Sequence, residues 1–332
     1  MESNKPIIGI SIGDVNGIGP EIILKALDHI DLKKSSPLII APKSVLEYYA
    51  ILLKRAVHVN TCQYIDQIEP DTINLLSLPD HGIEIKPGVL DKKSGLIAMQ
   101  SIELGIELAM NEITQALVTC PISKEAVNLA GYSIPGHTEF LAEETDTSEV
   151  LMILLTDTLR VALVTGHIPV KKVSAEINEG LILRKLHILN EALIHQFGIE
   201  QPNIAVLGLN PHSGDGGVIG KEEINVIEPT LKKAKELGIT VTGPFPADGF
   251  FGQQLFNEFD AILAMYHDQG LTPFKLLSFG KGVNFTAGLP IIRTSPDHGT
   301  AFDIAGHGMA TISSFLEAYN LAVSMATKRI DV

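Results

Sequence analysis

The sequence predicts an α/β fold with a largely parallel sheet and helices on its faces. Three observations carry that prediction. Apolar runs of strand length, rich in Val, Ile and Leu, alternate with longer stretches whose apolar residues recur every three or four positions. The apolar runs lack in–out alternation, as expected of strands covered on both sides. Turn residues separate the two kinds of segment almost throughout.

The elements follow in order. "PIIGISIG" (6–13) is a strand, and "PEIILKALDHI" (20–30) a helix with Pro20 suited to its first position and Glu21 facing the positive end of its dipole. "SPLIIAP" (36–42) is again a strand. In "SGLIAMQSIELGIELAMNEI" (94–113), Leu96, Met99, Ile102, Ile106, Ala109 and Ile113 make one apolar helix face. "QALVTCP" (115–121) is a strand, followed by a helix capped by Ser123 and ended near Gly131. "VLMILL" (150–155) and "RVALVTG" (160–166) read as adjacent strands turning at Thr156-Asp157, so part of the sheet is antiparallel. A helix (179–198), the strand "NIAVLGLN" (203–210), a helix (222–238), the strand "DAILAMY" (260–266) and a C-terminal helix from about Thr311 complete the pattern. The chain is long enough for two lobes. No linker of biased composition marks a boundary, so residues 1–332 read as one two-lobed unit whose division cannot be placed.

Composition narrows the functional classes. The 332 residues are 45% apolar with a formal charge of −14 and no basic run. That argues against nucleic acid and anionic membranes as partners. No stretch reaches the ~18 apolar residues of a membrane span, and the N-terminus lacks a secretion-signal pattern. Cys62 and Cys120 do not form a disulfide framework, which suits a reduced, cytoplasmic protein.

The chemistry concentrates at strand ends, where open α/β sheets bind ligands. Three apolar runs end in histidine: His167 after "RVALVTG", His212 after "NIAVLGLN" and His267 after "DAILAMY". Three imidazoles on rigid elements suit a borderline divalent metal and leave room for substrate. Unrelated structural histidines are the alternative. Asp268 either orients His267 or caps the next turn. "GHTEF" (136–140) offers His137 and Thr138 at a helix start, where anions bind; an ordinary cap by Thr138 is the simpler reading. "GDVNGIGPE" (13–21) sits where a phosphate-cradling loop would, with Gly13 and Gly17, but lacks G-x-G-x-x-G and a P-loop lysine. "SGDGGVIGKEE" (213–223) is similarly ambiguous. In residues 271–308, Lys275, Lys281 and Arg293 put cations in Gly/Pro-punctuated, non-repetitive surroundings, with Asn284 as a neutral donor. This is a candidate phosphate pocket; a solvated cationic surface is the alternative. Small residues around Asp297, His298, Gly299 and Asp303 admit a flat ligand.

Taken together, "GDVNGIGPEI", "CPISK", "PGHTEFLA", "TGHIPV", "GLNPHSGDGG", "GPFPAD", "MYHDQGLTPFK" and "VNFTAGLPIIRTSPDHGTAFDIAG" resemble, in order and spacing, the 4-hydroxythreonine-4-phosphate dehydrogenases of pyridoxal phosphate synthesis. The resemblance covers nearly the whole chain. It implies an α/β/α sandwich of isopropylmalate dehydrogenase-like type, two lobes with a cleft between them. It implies NAD (or NADP) as oxidant, one divalent metal (Zn, Mg or Co) per site, and a homodimer with active sites at the subunit interface. Carried over, the metal ligands fall on His167, His212 and His267, and the substrate contacts on His137, Thr138, Lys275, Asn284 and Arg293. NAD contacts are expected from Gly13, Gly17, Asp297, His298, Gly299 and Asp303, with Asp248, Asp268 or metal-bound hydroxide as base. The reaction implied is oxidation of the substrate's C3 hydroxyl, followed by loss of CO₂. The chain departs from many members at Val15-Asn16, where they have Pro-Ala, and at Asp248-Gly249-Phe250-Phe251, where they have Asp-Thr-Leu-Phe. Sister enzymes acting on phosphorylated sugar acids such as phosphothreonate are the nearest alternative. An acyl-phosphate acyltransferase of the same general fold is an alternative from another class, and so is a metabolite-binding protein without activity.

Overall fold

The computed structural model describes residues 5–134 and 136–330. The chain divides into two compact units: residues up to Ser148 with those from Leu289 onward, and Glu149–Gly288.

The first unit opens with β1 (Ile7–Ser11), α1 (Gly19–Ala26), β2 (Ser36–Ala41), α2 (Lys43–Leu52), β3 (Asn60–Cys62), β4 (Asn74–Ser77), α3 (Lys92–Met110), β5 (Ala116–Thr119), α4 (Lys124–Leu129) and α5 (His137–Glu144). The second unit contains β6 (Leu151–Leu155), β7 (Arg160–Leu163), α6 (Val170–Glu176), α7 (Glu179–His195), β8 (Asn203–Leu207), α8 (Glu228–Glu236), β9 (Thr240–Phe245), α9 (Ala247–Gly252), β10 (Ala261–Ala264), α10 (His267–Ser278) and β11 (Val283–Ala287). The chain then returns to the first unit with β12 (Arg293–Pro296) and α11 (Ser313–Ile330).

In the first unit the strands run β3-β4-β2-β1-β5-β12, every pair parallel. In the second they run β11-β6-β7-β10-β8-β9; β11-β6 and β6-β7 are antiparallel and the rest parallel. The predicted turn between β6 and β7 is closed by Thr156, whose backbone N–H donates to the Leu159 carbonyl at 2.8 Å. Strands such as β2 and β5 are buried along their whole length, which explains why they carry no alternation. The first core packs Leu38, Ile40, Cys62, Leu76 and Leu108. The second packs Leu154, Val161, Leu163, Leu207, Ile262, Phe250 and Phe274. Cys62 and Cys120 are both buried free thiols, and no helix among the described residues is long and apolar enough to cross a membrane.

Two predicted helices differ in detail. The helix expected over 222–238 is a wide turn at Glu223–Ile227 followed by α8, because Pro229 lacks an N–H and restarts the helix at its first turn. In α5 the cap is Gly136, and Thr138 lies inside the first turn. The expected cap by Thr138 is therefore corrected.

Candidate active site

Strands β7, β10 and β8 lie side by side and parallel, and each leads directly into one of the three histidines. The pairing continues beyond the strands. Val164 N–H donates to the Ala264 carbonyl at 2.8 Å and Thr165 N–H to the Met265 carbonyl at 3.2 Å. The Thr165 hydroxyl donates to the same Met265 carbonyl at 2.8 Å. This extension brings the rings of His167 and His267 to 5.7 Å between centroids. A cleft of about 230 Å³ opens there, lined by Gly166, His167, Val173, Tyr266, His267 and Asp268.

His267 is the first residue of α10, so a helix start rather than an irregular turn aims it. His267 Nδ1 lies 2.7 Å from Asp268 Oδ1. An ionised carboxylate only accepts, so the proton sits on Nδ1 and the Nε2 lone pair is left for a ligand. Gln269 braces the arrangement: its Oε1 accepts from Met265 N–H at 2.7 Å and its Nε2 donates to the Gly208 carbonyl at 2.6 Å. It thereby ties the end of β10 to the end of β8. His212 stands in an exposed loop beyond β8 with φ 52°. Among the described residues no three His, Cys, Asp or Glu side chains are grouped closely enough to hold a metal. The structure brings the His167 and His267 rings together, with Asp268 bonded to His267 and facing it rather than adding a third ligand, and leaves His212 on the neighbouring strand end. The donor set, imidazole nitrogens with a carboxylate behind one of them, fits a divalent metal of zinc type.

In the first unit Arg293 opens β12 and is 1% exposed. Its Nε and Nη2 both donate to the Thr119 hydroxyl, at 3.1 and 2.7 Å. Burial pushes its pKa down to about 10, so the guanidinium stays charged at neutral pH. This excludes the reading of Arg293 as a solvated surface cation. His137 opens α5, and its Nε2 is buried without a hydrogen-bond partner among the described residues. Burial, then the nearby charges of Arg293 and Lys124, hold its pKa well below the usual 6.5. A neutral imidazole and a buried guanidinium can bind an anionic oxygen together without mutual repulsion.

In the second unit Lys275 lies on α10 and Asn284 on β11, both regular elements rather than the loops expected. Asn284 Oδ1 is buried without a hydrogen-bond partner among the described residues. Asp248 is exposed in the first turn of α9. The neighbouring departure Phe250 packs with Phe251 into an aromatic cluster with Phe245, Phe256 and Phe259.

The loop after β1 is not a phosphate cradle. The backbone N–H groups of Asp14, Val15, Asn16, Gly17 and Ile18 donate to Pro121 O, Ser94 Oγ, Asp14 Oδ1, Asp14 O and Thr300 O. None of the five remains for a ligand. A Cβ on Gly13 would lie 2.4 Å from the Pro121 carbonyl oxygen, and one on Gly17 3.1 Å from Thr300. Close packing is what these glycines serve. The departure at Asn16 belongs to the same packing: its side chain donates to the Val89 carbonyl and accepts from Lys86 N–H, both at 2.9 Å. Asp14, which holds the loop, has its pKa raised by burial. The segment after β12 is more open. Asp297 N–H is fixed by Ser314 Oγ at 3.0 Å, His298 Nδ1 is 3.1 Å from the Gly299 carbonyl, Gly299 faces open space, and Asp303 is exposed.

Sequence reasoning passed over Thr119 and Glu223. Thr119 carries a signal that was available, since it ends a buried strand just as the histidines do.

Residues 33–322 match the family described as pyridoxal phosphate biosynthetic protein PdxA. The chain is 45% identical over 332 residues to the 4-hydroxythreonine-4-phosphate dehydrogenase of Desulforapulum autotrophicum, covering 98% of this chain and 97% of that protein. It is 42% identical to the enzyme of the same name from Bacteroides thetaiotaomicron, over 99% and 91%. The crystal structure of 4-hydroxythreonine-4-phosphate dehydrogenase from Klebsiella pneumoniae superposes with a TM-score of 0.86 at 36% identity, covering 97% of this chain and 100% of that one.

Proposed function

The chain belongs to the PdxA family of pyridoxal phosphate biosynthetic proteins, and from that premise we propose that this dehydrogenase oxidises 4-hydroxythreonine 4-phosphate at C3, with NAD as hydride acceptor. The product, 2-amino-3-oxo-4-phosphooxybutanoate, is a β-keto acid and loses CO₂ to give 3-amino-2-oxopropyl phosphate. The observation that carries the reading is the row of parallel strands β7, β10 and β8, each leading into a histidine, with the His167 and His267 rings 5.7 Å apart.

His167, His212 and His267 would hold one divalent cation. Bound there, it supplies Lewis acidity toward the C3 hydroxyl and the carbonyl formed from it. Asp268 keeps the His267 proton on Nδ1, so that Nε2 is the ligating atom. Arg293 and Lys275 bind the phosphate, far from the reacting carbon, and fix the geometry. His137, held neutral, and Thr138 in the first unit, and Asn284 in the second, whose Oδ1 has no hydrogen-bond partner among the described residues, supply neutral polar contacts. Asp248 and Asp268 are the candidates for accepting the hydroxyl proton. The open loop with Asp297, His298, Gly299 and Asp303 suits the nicotinamide cofactor; Gly13 and Gly17 do not. A cytoplasmic homodimer with sites at the subunit interface completes the reading, and a single-chain mass at equilibrium in the ultracentrifuge would remove that part of it.

The test is turnover of 4-hydroxythreonine 4-phosphate and phosphothreonate with NAD and with NADP, before and after chelation. NADH formation is expected with the first substrate and not after chelation. No turnover of it, or turnover indifferent to chelator, would sink the reading.

A further inference from the structure

The loop that carries His212 has an unusual backbone. His212, Ser213, Gly214, Asp215 and Gly216 all have positive φ (52°, 49°, 82°, 45° and 61°), and Gly217 follows at 92°. Left-handed residues normally occur singly, because Cβ crowds the following carbonyl oxygen. A run that includes His212, Ser213 and Asp215 therefore has to be held from outside. Glu223, on the wide turn Glu223–Ile227 and fully buried, anchors the residues that lead into it. Its Oε1 accepts from the N–H groups of Leu209 and Asn210, both at 2.7 Å, and its Oε2 accepts from Asn210 Nδ2 at 2.9 Å. The carboxylate also fills space that two glycines leave: a Cβ on Gly208 would lie 3.2 Å from Oε1, and one on Gly214 2.7 Å from Oε2. All three donors lie just before His212, and the carboxylate reaches the loop on both sides of it.

We propose that Glu223 is the positioning residue for His212: it locks the left-handed loop so that the imidazole is presented in one orientation to the divalent cation. The inference rests on the reading of His212 as a ligand to that cation. Packing alone would not call for an ionisable group here, since burying a carboxylate is costly unless its hydrogen bonds fix something. Glu223 touches neither substrate nor cation and acts only through the loop.

The test titrates metal-stripped protein with Co²⁺ in four forms: wild type, Glu223→Ala, His212→Ala and the double variant. Glu223→Ala should weaken Co²⁺ binding about 10- to 100-fold, the usual effect of removing a group that orients a ligand. Glu223→Gln should lose less, because its carbonyl oxygen can keep the Leu209 and Asn210 N–H groups. In the His212→Ala background the Glu223 substitution should change Co²⁺ affinity no further, since nothing is left to position. A Glu223 effect that persists undiminished without His212, or no effect in the wild-type background, overturns the proposal. If Glu223→Ala fails to fold, Glu223→Gln in the same two backgrounds decides the question by the same comparison. A His212→Ala variant that binds Co²⁺ as wild type does overturns the ligand assignment itself. That outcome is distinct from a silent Glu223→Ala, which leaves His212 a ligand and removes only the lock.

Discussion

Arg293 keeps its charge with almost no surface, and two N–H groups of its fork donate to one threonine hydroxyl. A charge-assisted hydrogen bond is worth about 1.5–3 kcal/mol, so Arg293→Ala should lower kcat/KM for the phosphorylated substrate by roughly 10- to 150-fold. Arg293→Lys should recover only part, because an ammonium lacks the fork. The comparison to make is with the dephosphorylated analogue: a preference for phosphate that survives in Arg293→Ala would give Arg293 another role. His137 makes a separate prediction. Its folded pKa lies well below the 6.5 of the open chain. Below pH 6.5 the unfolded chain therefore binds a proton that the folded one refuses, and stability falls with pH down to the folded value. The slope is at most about 1.4 kcal/mol per pH unit. Urea midpoints between pH 7.5 and 5.5 should fall more for wild type than for His137→Gln. Parallel falls would remove His137 as the source. At this scale the sequence showed which residue types stand at strand ends. It could not show that Arg293 is buried, because its solvent screening is decided by β5 and its neighbours, far away along the chain.

Among the elements, α10 gathers the most consequence. Gly270 faces β7 and β10, and a Cβ there would lie 2.8 Å from Val161, 2.9 Å from Leu163 and 3.0 Å from Ala264. Gly270→Ala should push the helix off the strands that carry His167 and His267. The expected cost is about 1–3 kcal/mol of overpacking, with weaker metal binding beside it. Denaturant unfolding and metal titration would check both, and normal values in each would show that the contact yields easily. The same glycine hid the helix from sequence reading. Gly270 and Pro273 are the poorest helix formers, so "HDQGLTPFKLLS" reads as loop until the packing is known. β12 was hidden differently. Its residues "RTSP" are all buried, but the first three are polar and the fourth is proline, so no apolar run announces them. The strands that were legible, such as β2, β7 and β10, bury aliphatic side chains on both faces. The three histidines were legible because those strands were. That β7, β10 and β8 are neighbours was not, since strand order depends on pairing across the chain rather than along it.

On the scale of the whole molecule, the second unit is an insertion whose ends meet. Leu151 pairs with Ala287 across β6 and β11, and a Cβ on Gly288 would lie 2.9 Å from the Glu149 carbonyl oxygen. Ordinary loops make both crossings, which is why composition gave no boundary. With its own core and closed ends, the fragment 149–288 should fold alone. Coincident thermal transitions by circular dichroism and tyrosine fluorescence would check this, and a gradual or absent transition would count against it.

The insertion also sets an order of events during synthesis. Arg293 of β12 bonds Thr119 of β5 across 174 positions, and everything between them must be made first. A nascent chain would therefore have the second unit complete while the first still lacks its last strand and α11. At about 5–20 residues per second the wait lasts on the order of ten seconds. Throughout it one side of β5 is an open edge, the kind that recruits strands from other chains. The buried Arg293 arrives on the segment that closes that edge, so the Arg293–Thr119 contact and the protection of the sheet are completed in one step.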